Sequence, residues 1–151
     1  MNHFFMKIIR ETLDWAIEEM QGLGGGFFSS QDADTEGEEG QYYLLNRDEI
    51  LSKLSQKDAE IYSKVYDISE VNLDKKQGIL HISKEPFLVA QELGLSEDIV
   101  IESLNRSRNL LRKFRENKVR PLTDDKILTA WNGMMVSALA KAYQVLGFEP
   151  Y

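Results

Sequence analysis

Cysteine is absent from the 151 residues of this chain. Its absence excludes disulfides, thiolate metal sites and any Cys-X-X-Cys redox motif within the sequence. Long apolar runs are absent too, since nowhere do about 18 apolar residues follow one another, and charged residues interrupt the N-terminus early. The sequence therefore predicts no membrane partner and no secretory signal, and we expect a cytoplasmic location.

Basic residues are fewer than acidic ones: the 18 Lys and Arg residues and 25 Asp and Glu residues give a formal net charge of −7. This balance disfavours nonspecific binding to nucleic acid, so no nucleic-acid partner is predicted. The hydrophobic content of 42% is that of an ordinary globular protein. Residues 1–151 are therefore long enough to form a single domain with a core of its own.

Apolar residues recur at helical spacing over most of the chain and predict a mainly α fold. The predicted helices run from Phe5 to Gly22, from Asn46 or Asp48 to Leu54, from Ser55 to Tyr66, from Pro86 to Gly94, from Ser96 to Asn117, and from Thr123 or Asp124 to Leu146. Two β elements are predicted: a hairpin that pairs Gly26–Ser30 with Gln41–Leu45, and a short strand at Ile79–Ile82.

The last of these helices is apolar nearly all round, from Ile127 to Leu146. Such a helix is normally covered on several sides. The other predicted helices are too few and too short to cover it, so we expect the chain to be a fragment of a larger assembly. Self-association or the missing remainder of a longer protein would supply the cover.

An acidic loop lies between the glycines at Gly24–Gly26 and the aromatic pair Tyr42 and Tyr43. Its carboxylates are Asp32, Asp34, Glu36, Glu38 and Glu39. They would repel one another unless a cation or the hydroxyls of a sugar lay among them; the alternative is a solvated turn. Asp32, Asp34, Glu36 and Gly37 match the opening of a calcium loop, but Tyr43 stands where the closing Glu should be, so no metal site is predicted.

A second constellation is the segment Asp124-Asp125-Lys126, followed by Trp131 and Asn132. The two aspartates either cap a helix or serve a site. Lys126, Trp131 and Asn132 lie on an otherwise apolar helix, where polar groups usually need a partner. A tryptophan beside an amide is typical of sugar sites, because the ring covers an apolar sugar face while the amide binds hydroxyls.

These segments also suggest a family. The stretches GGFFSSQDADTEGEEGQYYLL, YDI, ILHI and RPLTDDKILTAWNGMMVSALAKA occur in this order. They resemble the spermatogenesis-associated-protein family of thioredoxin-like proteins, known in bacteria as YyaL, from about Gly24 to Tyr151. The resemblance implies a six-hairpin α/α toroid similar to glycoside hydrolases and to N-acylglucosamine 2-epimerases. The chain has no counterpart of the family's thioredoxin-like domain, and the family continues beyond Tyr151, so a middle slice of the toroid is expected.

The sequence thus predicts a mainly α chain that forms part of an α/α toroid, with a small β-hairpin. The predicted function is carbohydrate-directed, glycosidase-like or epimerase-like, without a cofactor. A carboxylic acid would protonate a leaving oxygen and a carboxylate would act as base. The predicted catalytic residues are Asp32 or Asp34 with Asp125, and the predicted substrate-binding residues are Glu36, Asp124, Lys126, Trp131 and Asn132. The alternative is a non-catalytic structural or interaction module, or a truncated product.

Overall fold

The computed structural model describes residues 3–72 and 77–147. Within them, six helices confirm that the chain is mainly α: α1 His3–Met20, α2 Arg47–Lys53, α3 Gln56–Val65, α4 Pro86–Leu93, α5 Glu97–Arg115 and α6 Thr129–Leu146. The strands are short: β1 Ser30–Gln31, β2 Asp34–Thr35, β3 Glu38–Glu39, β4 Leu45–Asn46, β5 Tyr66–Asn72, β6 Gln77–Ile82 and β7 Thr123–Asp124. None of the described helices has both the length and the apolar character that crossing a bilayer requires.

Contacts divide the chain into two compact units. The first comprises Met1–Ala33 and Pro121–Tyr151, and the second comprises Asp34–Arg120. The prediction of a single domain stays a prediction.

Local capping signals fix the helix boundaries of the second unit. Asn46 accepts a hydrogen bond from the Asp48 amide and forms a capping box with Glu49 at the start of α2, while Ser55 caps α3 through the Asp58 amide. Ser96 does the same for α5, and Gly94 ends α4 in the left-handed conformation. The predicted starts and ends of these four helices are confirmed to within two residues.

The core of the second unit lies between α2, α3, α4, α5 and the sheet β4-β6-β5. Its fully buried apolar side chains are Ile61, Val65, Val89 and Val100. Val100, Leu104 and Leu111 form the buried stripe of α5, as their spacing predicts.

The predicted hairpin between Gly26–Ser30 and Gln41–Leu45 is wrong. β1 pairs instead with β7, and β4 pairs with β6, both antiparallel. The acidic stretch forms its own hairpin, in which β2 pairs with β3. The predicted strand at Ile79–Ile82 is confirmed as part of β6, whose partner β5 was not predicted.

In the first unit, α1 packs against α6 through a small cluster. Ala16, Met20 and Phe27 are its buried members, and Met135 and Leu139 of α6 pack against them. The predicted start of α6 at Thr123 or Asp124 is wrong, because Asp124 pairs in β7 and the helix begins at Thr129. Its predicted end at Leu146, with Gly147 in the left-handed conformation, is confirmed.

Candidate functional site

The first unit brings two of the sequence-predicted segments together in the ladder of β1 and β7. Ser30 pairs with Asp124 and Gln31 pairs with Thr123. The pairing continues by one residue, since the Asp32 amide donates to the Leu122 carbonyl at 2.7 Å. At the other end, both the amide and the hydroxyl of Ser29 donate to the Asp124 carbonyl at 3.1 Å.

An open cleft of about 400 Å³ lies along this ladder. It is lined by Ser30, Gln31, Asp32, Ala33, Leu122, Thr123 and Asp124. Because Asp32 continues the register opposite Leu122, Asp32 and Asp124 are diagonal neighbours on one face of the ladder. The Cα atoms of such neighbours are roughly 7–8 Å apart. The ladder therefore carries Asp32, a predicted catalytic residue, and Asp124, a predicted substrate-binding residue, on the same face, and both line the cleft.

Asp124 is held in place by Lys126. The Lys126 ammonium lies 2.6 Å from Oδ2, and the Lys126 amide donates to Oδ1 at 3.2 Å. These hydrogen bonds from Lys126 lower the pKa of Asp124. Asp124 is therefore ionised, and it turns the chain between β7 and α6 rather than capping the helix, whose N-cap is Leu128 without a side-chain cap.

Asp125 follows directly and is exposed. Asp124, and to a smaller extent Asp125, raise the pKa of Lys126. The Lys126 ammonium group is thus paired with acidic side chains. A negatively charged ligand would have to compete with these carboxylates for Lys126.

The amide of Asn132 is bonded to the protein backbone. Its Oδ1 accepts from the Phe27 amide at 2.7 Å, and its Nδ2 donates to the Phe27 carbonyl at 3.0 Å and to the Leu128 carbonyl at 3.1 Å. Trp131, its neighbour on α6, is 51% exposed. The two residues of the predicted pair therefore have different environments. Trp131 exposes its ring to solvent, whereas Asn132 links the loop after α1 to α6 through hydrogen bonds to Phe27.

In the glycine-rich loop before β1, the position of Gly26 has little room for a side chain. A Cβ atom at this position would lie 2.9 Å from the Ile127 Cδ1 atom, closer than van der Waals contact permits. A glycine lets the loop approach the segment that leads into α6.

The remaining predicted site residues, Asp34 and Glu36, lie on the β2–β3 hairpin of the second unit and are exposed. Glu36 and Gly37 form its two-residue turn with φ angles of 55° and 79°. Positive φ at both positions is typical of a type I′ hairpin turn. The calcium-like spacing thus encodes a tight hairpin, and no group of three or more His, Asp or Glu in the described part of the chain could hold a metal ion.

Sequence reasoning missed a buried polar network in the second unit. The Asp58 side chain is 7% exposed and accepts hydrogen bonds from Ser103 at 2.6 Å, from Ser55 at 2.8 Å and from both Nε and Nη2 of Arg106. The hydrogen bonds from Arg106 lower its pKa most. Ser55 followed three residues later by an acid was the available signal. The network joins α3 to α5 and has the character of a structural element.

Comparison with known proteins supports the resemblance. The chain is 28% identical to human spermatogenesis-associated protein 20 over 97% of its own length, and 27% identical to the mouse protein of that name over 98%. An uncharacterised protein of Caenorhabditis elegans is 25% identical over 94% of the chain. The predicted resemblance is confirmed. The chain spans 22% of the length of the human and mouse relatives, and no family model matches it.

Proposed function

We propose that the cleft between β1 and β7 is a carbohydrate site, glycosidase-like or epimerase-like, with Asp32 and Asp124 as its two carboxylates. The observation that carries the proposal is their position as diagonal neighbours on one face of the ladder. Carboxyl groups of inverting glycosidases are about 6.5–9.5 Å apart, which leaves room for a water between base and sugar. Diagonal positions on a ladder have Cα atoms roughly 7–8 Å apart, and side chains carried on the same face from these positions can hold their carboxyl groups at such a separation.

The two carboxylates receive different roles. Asp124 is kept ionised by Lys126, so it serves as the base that accepts a proton from the attacking water. Asp32 serves as the acid that protonates the leaving oxygen as the glycosidic bond breaks. Asp125, which the sequence predicts as the catalytic partner of Asp32 or Asp34, is the alternative base. In an epimerase-like reaction the same pair would remove and return a proton on a sugar carbon.

The exposed ring of Trp131 is proposed as the stacking surface for the sugar. An indole covers the apolar face of a ring while hydroxyls bind polar groups nearby. Asp34 and Glu36 belong to the other unit, and their roles stay predictions. A cytoplasmic location also remains part of the proposal.

The proposal is tested by titrating the chain with a panel of neutral and N-acetylated oligosaccharides, by calorimetry and by tryptophan fluorescence. Asp32→Asn is expected to abolish turnover of any sugar that binds, while its folding stays intact. The matched control is Asp98→Asn, which removes an exposed carboxylate from the first turn of α5. The proposal fails if no sugar binds, or if Asp32→Asn and Asp98→Asn bind and turn over sugar alike.

A non-catalytic module is the second candidate, and the hydrogen bonds of Asn132 favour it. A predicted ligand-binding amide that is fully engaged with Phe27 and Leu128 serves the scaffold. Under this alternative the acidic segments only shape loops. A wild-type chain that is stably folded and binds no sugar would support the non-catalytic module.

The α/α toroid is likewise a proposal. The similarity to relatives of which the chain spans 22% and the mainly helical described residues support it. A structure of one of these longer relatives would test it, because a ring of six helical hairpins that includes the matched region is the expected result.

A further inference from the structure

Asn132 is followed directly by Gly133 near the start of α6. None of the other asparagines in the sequence precedes a glycine, since the residues that follow them are His, Arg, Leu and Lys. An asparagine side chain can react with the backbone nitrogen of the next residue and form a cyclic imide. A following glycine favours this ring closure, because it has no side chain to hinder the attack and its backbone rotates freely. Asn132-Gly133 is therefore the dipeptide of this chain with the greatest intrinsic tendency to deamidate.

We propose that Asn132 is a deamidation site whose reaction is controlled by the opening of the first unit. The Gly133 backbone nitrogen loses its proton to solvent and attacks Cγ of Asn132. A bond forms between this nitrogen and Cγ, the bond between Cγ and Nδ2 breaks, and ammonia leaves. Water then opens the imide at either of its carbonyl groups, which leaves aspartate or isoaspartate at position 132. Water is the co-reactant, and no oxidant or reductant takes part.

The folded first unit restrains both reacting groups. The Asn132 carboxamide is held by the hydrogen bond from the Phe27 amide at 2.7 Å and by its own bonds to the Phe27 and Leu128 carbonyls at 3.0 Å and 3.1 Å. Cγ is therefore not free to turn toward the backbone nitrogen of Gly133. That nitrogen lies inside α6, where an α-helical amide donates to the carbonyl four residues earlier. These contacts have to break before the ring can close.

Few buried contacts keep the first unit closed among the residues that the structure describes. The cluster that packs α1 against α6 has Ala16, Met20 and Phe27 as its buried members. Along α6 itself, Ala142 is the buried residue. Regions with few buried apolar contacts open locally at a lower free-energy cost than a well-packed core does. Asn132 is therefore released during openings of the first unit that leave the core of the second unit intact.

The product cannot rebuild the contacts of the closed form. An aspartate at position 132 has no amide hydrogens for the Phe27 and Leu128 carbonyls, and its charge would face their oxygens. Isoaspartate also adds a carbon to the main chain, which breaks the regular spacing of the helix. Each deamidation therefore weakens the closed form and makes the change irreversible. This inference depends on the structural contacts of Asn132 and is independent of the sugar site.

Peptide mass spectrometry of the whole chain, incubated at mildly alkaline pH in buffer and in urea, measures the reaction. Asn132 should deamidate about tenfold faster or more in urea, a ratio that corresponds to an opening free energy of at least ~1.4 kcal/mol. Asn117, which is exposed but precedes Lys118, is the internal control and should stay unmodified. Gly133→Ala should slow the reaction in urea, because its methyl group hinders the attack. Equal rates in buffer and urea would overturn the control by opening, and no reaction in urea would overturn the site.

Leu139→Ala tests the control by opening in the native chain. Leu139 packs against the small cluster, so its truncation loosens the first unit without removing a contact of Asn132. Deamidation in buffer should become about tenfold faster or more, up to the rate in urea if the unit unfolds. The matched control is Leu110→Ala, which truncates an exposed leucine of α5 in the second unit and should react like the wild type. Equal rates for the two variants would contradict the proposal.

The effect of the product is measured on the deamidated chain, separated from the unmodified chain by ion exchange. Its urea midpoint, followed by tryptophan fluorescence, should be lower than that of the unmodified chain and close to that of Asn132→Asp. A deamidated chain with the midpoint of the unmodified one would show that the modification leaves the closed form intact, and would overturn this step.

Discussion

Replacing Asn132 with alanine removes the side-chain hydrogen bonds that link α6 to the loop after α1. Three hydrogen bonds are lost, two to the backbone of Phe27 and one to the Leu128 carbonyl. Phe27 is 7% exposed and belongs to the small core of the first unit. Its amide and carbonyl would have to find new partners in a place with little access to water.

The cost follows from these contacts. At about 0.5–1.5 kcal/mol net for each hydrogen bond, three bonds contribute roughly 1.5–4.5 kcal/mol. Alanine is the better helix former and returns about 0.5 kcal/mol at this position in α6. We expect Asn132→Ala to lower the free energy of unfolding of the first unit by roughly 1–4 kcal/mol.

The two tryptophans make the measurement specific, because Trp15 and Trp131 both lie in the first unit. Urea unfolding followed by tryptophan fluorescence reports that unit, and far-ultraviolet circular dichroism reports all helices. The urea midpoint should fall while the slope of the transition stays constant. Gln144→Ala, which replaces an exposed polar residue of the same helix, is the control and should be near neutral.

A midpoint for Asn132→Ala within error of Gln144→Ala would refute the structural role. If Asn132→Ala kept its stability but lost affinity for a sugar, Asn132 would be a ligand-binding residue, as the sequence alone predicts. Asn132→Asp separates the two roles further. It keeps an acceptor for the Phe27 amide but sets a carboxylate against the Phe27 carbonyl, so it should be destabilised at neutral pH.

Two further predictions concern the second unit and α6. The pKa of Asp58 is lowered from its ordinary value of 3.8, chiefly by hydrogen bonds from Arg106, so its contribution to stability is present above about pH 4 and is lost as the pH falls further. Asp58→Asn should therefore destabilise the chain at neutral pH and flatten the acid limb of its stability curve; an unchanged acid limb in urea titrations would contradict this. Gly37 has a φ of 79°. Gly37→Ala should cost about 1–2 kcal/mol, whereas Gly133→Ala inside α6 should stabilise by about 0.5–1 kcal/mol, and equal thermal shifts would count against this reading of the turn.

Helix boundaries could be predicted because their signals are local. Asn46 and Ser55 bond to amides two or three residues away, and Gly94 needs only its own backbone freedom. The missed strand β5 also had a signal, since Tyr66 and Ile68 alternate with polar neighbours over a short run. Its continuity with the end of α3 concealed it.

Strand partners could not be predicted, because they depend on contacts between distant segments. β1 and β7 meet although more than ninety residues separate Ser30 from Asp124. Asp124 carries a strong helix-start signal, but pairing with β1 satisfies its backbone and Lys126 satisfies its side chain, so the helix begins five residues later. The role of Asn132 depends on the same long-range packing, through Phe27.

The donors and acceptors that remain decide which predicted residues can still bind a ligand. Both Nδ2 hydrogens of Asn132 are used, so only one lone pair on Oδ1 is left. A carboxylate has about four acceptor positions, and Lys126 occupies two of those on Asp124. Asp124 can therefore bind Lys126 and still accept a proton or a hydroxyl from a ligand in the cleft. For this reason the proposed sugar site depends on Asp32 and Asp124 and does not require Asn132 to bind the ligand.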